Sequence, residues 1–292
     1  MEIQHDVSMK PYSTFRVGGN AKTLIICDNV QELEEALRIN SEKGFPVFFL
    51  GKGSNVIFSD NGYEGTVISM SSKAEKIELT EENKISASGN TLLPEVANFA
   101  LGKGQSGLEF AAGIPGTLGG AVFMNAGAYG GEIKDVLESA DVISLDGRVK
   151  RRISGKDMEF SYRKSLLHKS GEIVLSATIR LEDGKREEIK SKMEDFKVRR
   201  NSKQPLNYPS CGSFFKRPEG NFAGALIEKA GLKGLQVGGA QVAEKHAGFF
   251  INRGEATATD VINLMNLVQQ TVYKKFGVML IPEVRIIGEK QF

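Results

Sequence analysis

GQSGLEFAAGIPGTLGGAVFMNAGAYGG, residues 104–131, holds nine glycines in twenty-eight positions, and most of the rest are small or apolar. Glycine loses more chain entropy on folding than any other residue. This density is therefore costly unless bare amides must approach a ligand or the backbone must take positive φ. A diphosphate is the ligand such a backbone suits. The competing reading is a flexible low-complexity loop, but Leu108, Phe110, Ile114, Leu118, Val122, Phe123 and Met124 are anchors that a solvated linker lacks.

A second glycine loop, GKGSNV at residues 51–56, follows directly on the β-rich apolar run PVFFLG. Both loops can present consecutive N–H groups to an anion, with the hydroxyls of Ser54 and Thr117 as further donors. Either alone is also readable as a tight turn, and GKGSN equally so; two in one domain favour a ligand with a long diphosphate backbone. The familiar phosphate loops find no support, because no GxxxxGK[ST] occurs and no GxGxxG opens a helix after a strand.

Around these loops the first half reads as mixed α and β. NVQELEEALRINSEKG predicts a helix from Asn29, with Asn29 and Glu32 at capping-box spacing, Val30, Leu33, Ala36 and Leu37 on one face, and Gly44 to end it. TVISM and KISAS read as strands, and TLLPEVANFALGKG as a helix with an early Pro94. Between residues 135 and 181, DVLESADVISL, GRVKRRI and EIVLSATIRL read as short antiparallel strands with a turn at Asp146 and Gly147. A charged helix over about 185–200 leads to Pro205 and Pro209, which mark a domain boundary. Beyond it come SFFKR, a helix at FAGALIEKAG, and strands around LQVGGAQV and AGFFINRG. A helix over about 259–276 turns Val261, Leu264, Met265, Val268 and Val272 inward, and Pro282 confines the strand VMLIPEVRIIG to an edge or bulge.

Composition sets outer bounds. A chain of 292 residues is long enough for two domains with ample core. Lys and Arg number 38 against 36 acids, so the formal charge of +2 gives no general field for nucleic acid or membranes, and any basic site is local. Cys27 and Cys211 form no CxxC, which points to a reducing compartment. His5, His168 and His246 lack metal-ligand spacing, so no metal is expected. With no apolar leader and no run long enough to span a bilayer, the expectation is a soluble cytoplasmic protein.

Several motifs in a fixed order span nearly the whole chain: STFRVGG (13–19), GKGSNV, AAGIPGTLGGAVFMNAGAYGGEI, FSYRKS, RRNSKQPLNYPSCGSFFKRP, AGALIEKAGLKG and IPEVRIIG. Through them the chain resembles the UDP-N-acetylenolpyruvoylglucosamine reductases (UDP-N-acetylmuramate dehydrogenases), flavoenzymes of bacterial peptidoglycan synthesis. The resemblance implies an α+β fold, a vanillyl-alcohol-oxidase-type FAD-binding domain with a smaller α+β substrate-binding domain. It implies an FAD domain over 1–204 (subdomains of about 1–70 and 71–204), a substrate domain over 205–277, and a tail over 278–292 that returns Glu283 to the active site. FAD would lie on the two loops, at Gly51, Gly53, Ser54, Asn55, Gly113, Ile114, Pro115, Gly116, Thr117, Gly119, Gly120 and Asn125. The quick passage from KRPEGNFAG into the next helix resembles the shorter subtype, which lacks a tyrosine-bearing loop over the nucleotide.

Three catalytic matches follow from the same resemblance: Arg163 to an arginine that polarises substrate, Ser213 to the proton donor, and Glu283 to the third group. By themselves these residues admit plainer readings, namely a solvated charge at a strand end, a turn serine, and a carboxylate paired with Arg285 or another base. Lys216 and Arg217 could hold a nucleotide diphosphate or be solvated. Cys211, two residues from Ser213, is the better acid of the two, although relatives often carry alanine there. The implied reaction has NADPH reduce FAD, and the reduced flavin then convert the enolpyruvyl ether of UDP-N-acetylglucosamine to UDP-N-acetylmuramate. Two other readings are an alcohol or sugar-lactone oxidase on the same flavin fold, and a nucleotide-sugar binding protein without turnover.

Overall fold

The computed structural model describes residues 1–288, so the last four residues of the expected C-terminal tail lie outside the described residues. Contacts divide the chain into two units, neither of them continuous. One comprises Met1–Gln4, Thr23–Lys52 and Gly65–Arg200, and the other His5–Lys22, Gly53–Glu64 and the chain from Asn201 onward. Strands β1 (Glu2–Ser8), β2 (Asn20–Cys27), β3 (Val47–Phe49) and β5 (Tyr63–Met70) form a sheet in the order β1–β2–β5–β3. Its parallel β3–β5 pair sets Val47 opposite Thr66 and Phe49 opposite Ile68.

In the first unit, helix α1 (Val30–Glu42) begins as its sequence predicts: the Asn29 side chain accepts the Glu32 N–H at 2.9 Å. The return bond is shifted by one residue, since Glu32 Oε2 accepts from the N–H of Asp28 at 2.8 Å. Its inner face of Leu33, Ala36 and Leu37 packs with Ile25, Cys27, Ile68, Ile143 and Ile173. A second, five-stranded sheet is antiparallel throughout, in the order Lys150–Ser154, Leu137–Ile143, Ile173–Arg180, β7 (Lys84–Ser88), β6 (Ile77–Glu81). Helices α2 (Leu93–Gly102) and α3 (Leu118–Met124) share one core with it, where Ile85, Leu93, Val96, Leu118, Val122, Val142 and Ile179 are buried. Each such side chain contributes about 1.5–3 kcal/mol of burial. The glycine-rich segment is thereby a structural layer, with its anchors Leu108 and Phe110 in that core.

In the second unit, helix Ala258–Phe276 carries a full capping box, with Thr257 and Asp260 exchanging side-chain bonds at 3.0 Å each, and Gly277 at φ 69° ends it. Asp60 adds a cap from elsewhere in the chain, accepting the N–H groups of Ala258 (2.9 Å) and Thr259 (2.7 Å) and the Thr259 hydroxyl (2.7 Å). Val261, Leu264, Val268 and Val272 are wholly buried, whereas Met265 is only partly so. Three short antiparallel strands, Gln236–Val237, Ala240–Val242 and Phe250–Asn252, complete the layer. β4 (Val56–Phe58) pairs in parallel with Arg285–Ile287. That strand starts beyond Pro282, which forms a single rung with Phe215 whose bonds come from Glu283 and Lys216, so the proline's missing N–H is not called on.

Candidate active site

Gly51, which opens the first loop, meets the second loop within the first unit. A Cβ on Gly51 would lie 2.7 Å from Thr117 Oγ1, so the first loop can touch the second only as glycine. Residues 116–119 are laid against 89–93 through Leu93 N–H to Gly116 O (2.8 Å), Leu118 N–H to Thr91 O (2.8 Å) and Gly119 N–H to Gly89 O (2.7 Å). Some glycines thus serve chain-on-chain packing: a Cβ on Gly119 would meet Gly89 O at 3.0 Å. Thr117 caps α3, accepting the Gly120 N–H at 3.2 Å, and keeps its own hydroxyl proton for another acceptor.

A set of donors is left over. Among the described residues of the first unit, the N–H groups of Gly51, Lys52, Gly113 and Thr117 donate to no protein acceptor, and along the chain those of Gly53 and Ser54, counted with the second unit, continue the run from Gly51 and Lys52. A run of successive amides without acceptors fits an anionic group such as a diphosphate, and the residues present therefore fit FAD. Arg200, which sequence reasoning passed over, adds to this. It is half-buried, it packs on Gly113 (Nη1 3.0 Å from a Cβ added there), and it has no carboxylate partner among the described residues. Burial alone pushes its guanidinium pKa down. The signal was in the sequence: Arg199 has Asp195 four residues before it and pairs with it, while Arg200 has Phe196.

Arg163 occupies a two-residue turn closed by Ser161 and Lys164, which exchange N–H to C=O bonds of 3.0 and 3.1 Å. Its φ is 54°, a left-handed conformation that costs a non-glycine residue on the order of 1 kcal/mol. The guanidinium donates to the carbonyls of Gly127 (3.0 Å) and Asn125 (3.5 Å), at the end of the glycine-rich segment, and lies over the Tyr162 ring. Asn125, expected at the cofactor, has no exposed surface. Its Nδ2 donates to Glu132 and to Ser161 O, both at 3.1 Å, and its Oδ1 accepts from Lys134 N–H at 3.0 Å.

The segments that carry Ser213 and Glu283 are paired in the second unit. Residues 213–216 run between two neighbours: Phe214 N–H donates to Gly248 O (2.8 Å), Glu283 N–H to Phe214 O (2.9 Å) and Lys216 N–H to Ile281 O (2.8 Å). Phe214, Phe215 and Phe250 form a buried ring cluster beneath the strip, with Phe214 stacked on Phe250 at 4.2 Å. Ser213 is exposed and Glu283 half-buried. Asn55, also expected at the cofactor, clamps the tail: its Nδ2 donates to Glu283 O at 3.1 Å and its carbonyl accepts from Arg285 N–H at 3.0 Å. Lys216 is half-buried, while Arg217 is exposed and lies over the Phe222 ring at 4.0 Å.

Cys211 is no rival to Ser213. Its thiol donates to Val56 O at 3.4 Å inside the core, and burial pushes its pKa up to about 12. Among the described residues no group of three or more His, Cys, Asp and Glu side chains could hold a metal, and no helix is long and apolar enough to cross a membrane.

Two family models match the chain: an FAD binding domain over residues 21–152 and a UDP-N-acetylenolpyruvoylglucosamine reductase C-terminal domain over residues 204–287. Among curated proteins, the UDP-N-acetylenolpyruvoylglucosamine reductase of Clostridium novyi is 48% identical over 289 residues, covering 99% of this chain and 93% of that one. That of Caldanaerobacter subterraneus is 49% identical over 282 residues, covering 97% and 92%. The crystal structure of the reductase from Thermus caldophilus superimposes with a TM-score of 0.84 at 35% identity, over 98% of each chain.

Proposed function

The chain belongs to the UDP-N-acetylenolpyruvoylglucosamine reductase family, and from that membership we propose how its residues divide the labour. It is an FAD-dependent oxidoreductase of peptidoglycan precursor synthesis that reduces the enolpyruvyl ether of UDP-N-acetylglucosamine. NADPH is the proposed hydride donor and UDP-N-acetylmuramate the product. The free amides of residues 51–54, with Gly113 and Thr117, would hold the FAD diphosphate, and Arg200 would supply a cation beside them. FAD, when bound, carries a hydride from the nicotinamide to the terminal methylene carbon of the enolpyruvyl group.

The protein's own residues handle the charge that this leaves. Negative charge develops on the carbon and carboxylate next to the reduced methylene, and Arg163 offers it a guanidinium already fixed by the carbonyls of Asn125 and Gly127. Ser213 donates its hydroxyl proton to the carbon; a carbanion is basic enough to take it from so weak an acid once the two are aligned. Glu283 assists as a hydrogen-bond partner. Lys216 takes the nucleotide diphosphate, its backbone held in the same strip. The observation that carries the reading is that strip: the backbone bonds linking 213–216 with 281–283 set the serine and the carboxylate on neighbouring segments.

The test is made anaerobically in one cuvette. NADPH should bleach the yellow flavin, and the UDP-sugar enolpyruvyl ether should restore the colour. Recolouring only by oxygen would indicate an oxidase, and a flavin that NADPH cannot bleach would indicate an inert binder.

A further inference from the structure

Asn125 grips Arg163 from two directions. Its backbone carbonyl accepts from the guanidinium at 3.5 Å, and its side-chain Nδ2 holds the carbonyl of Ser161, the residue that opens the turn on which Arg163 sits, at 3.1 Å. The second Nδ2 proton goes to Glu132 at 3.1 Å, and Oδ1 accepts from Lys134 N–H at 3.0 Å. One amide therefore ties together three stretches: the end of α3, the 131–134 turn and the Arg163 turn. Asn125 is itself left-handed, at φ 43°, as the cap of α3. Asparagine tolerates that conformation better than other side chains with a donor. The site calls for two N–H donors and one acceptor on a short stem, and aspartate, the same shape, offers no donor.

We propose that Asn125 is the positioning residue of Arg163: its amide sets the left-handed turn, and its carbonyl sets the guanidinium, in the arrangement that meets the charge developing on the substrate. The inference rests on the role proposed above for Arg163. The unpaired alternative is informative. With the amide gone, Ser161 O and Glu132 lose a donor, the strained φ of Arg163 loses the bond that holds it, and the guanidinium can leave the carbonyls of residues 125 and 127. The carboxylate of Glu132, which Lys134 Nζ already holds at 2.9 Å, then also becomes a competing partner for Arg163; burial pushes its pKa up, but the bonds and charge of Lys134, the Asn125 amide and the Arg163 charge bring it below the ordinary value.

The experiment is a double-mutant cycle on the flavin-loaded enzyme, following the two half-reactions separately. Asn125→Gly keeps the left-handed backbone and deletes only the amide. Reoxidation by the enolpyruvyl substrate should slow about 30-fold or more, at least about 10-fold beyond any change in reduction by NADPH. In an Arg163→Ala background the same change should add less than about 2-fold, because the two residues act as one unit. Asn125→Asp, which preserves the shape, should show the same selective loss. Additive effects of Asn125→Gly and Arg163→Ala, or equal losses in both half-reactions, would overturn the positioning role. If Arg163→Ala alone leaves reoxidation intact, the reading of Arg163 fails, and this inference with it. Should Arg163→Ala cripple reoxidation while both Asn125 variants do not, only the positioning role is lost.

Discussion

A thiol and a hydroxyl two residues apart compete for the part of proton donor, and their surroundings separate them. Cys211 lies in the core with its pKa pushed up to about 12, so it holds its proton where no substrate can collect it; Ser213 is exposed beside the Glu283 strip. Cys211→Ala should change turnover less than about 3-fold and cost about 1 kcal/mol of stability from one lost buried contact, read by denaturant unfolding. Ser213→Ala should leave flavin reduction by NADPH within about 2-fold and slow reoxidation by substrate about 100-fold or more, as loss of a positioned acid does. Stopped-flow absorbance distinguishes the two half-reactions, and equal slowing of both would remove Ser213 from the proton transfer. Glu283→Gln should resemble Ser213→Ala; a variant that fails to fold would instead assign the carboxylate to structure.

Among the elements, helix Ala258–Phe276 shows how much a remote residue can add. Its own capping box, Thr257 with Asp260, opens just before the start expected at about 259, and the second cap, Asp60, sits nearly two hundred positions upstream, where no local pattern announces it. Asp60→Ala should cost about 1–2 kcal/mol, the worth of a cap, measured as a shift in unfolding midpoint. Burial pushes the Asp60 carboxyl up, and the bonds from Thr259 and Ala258 outweigh it, so its pKa ends below the ordinary value. Its stabilisation is therefore complete above the unfolded-state carboxyl range and is lost as pH falls through the lowered folded value. Acid titration of the parent should show that loss, and Asp60→Asn should flatten it. The same contrast governs what could be read in advance. α1, α2 and the antiparallel strands announce themselves through periodicity and caps. β1 (EIQHDVS) and β2 (NAKTLIIC) carry no such signal, because the first is mostly exposed and the second opens on polar residues, so neither alternates cleanly. Arg163 could be matched by motif, but neither its left-handed turn nor the amide behind it is visible without the fold.

For the molecule as a whole, the second unit is assembled from segments far apart in the chain. Asn55 bonds to Glu283, 228 positions away, and β4 pairs with Arg285–Ile287. A fragment beginning at Asn201 should show no cooperative unfolding and no near-ultraviolet dichroism from Phe214, Phe215 and Phe250, while the full chain shows both. Recovery of that signal by the fragment alone would mean that the upstream segments are dispensable. The β4 ladder also has a bearing on how the polypeptide is made. Its first strand leaves the ribosome long before its mate exists, and must wait with an unzipped edge while all the residues between 58 and 285 are added. Chaperone demand and susceptibility to proteases should accordingly stay high until residues 285–287 have emerged and fall sharply once they pair, which makes closure of this ladder the step that commits the enzyme to its native state.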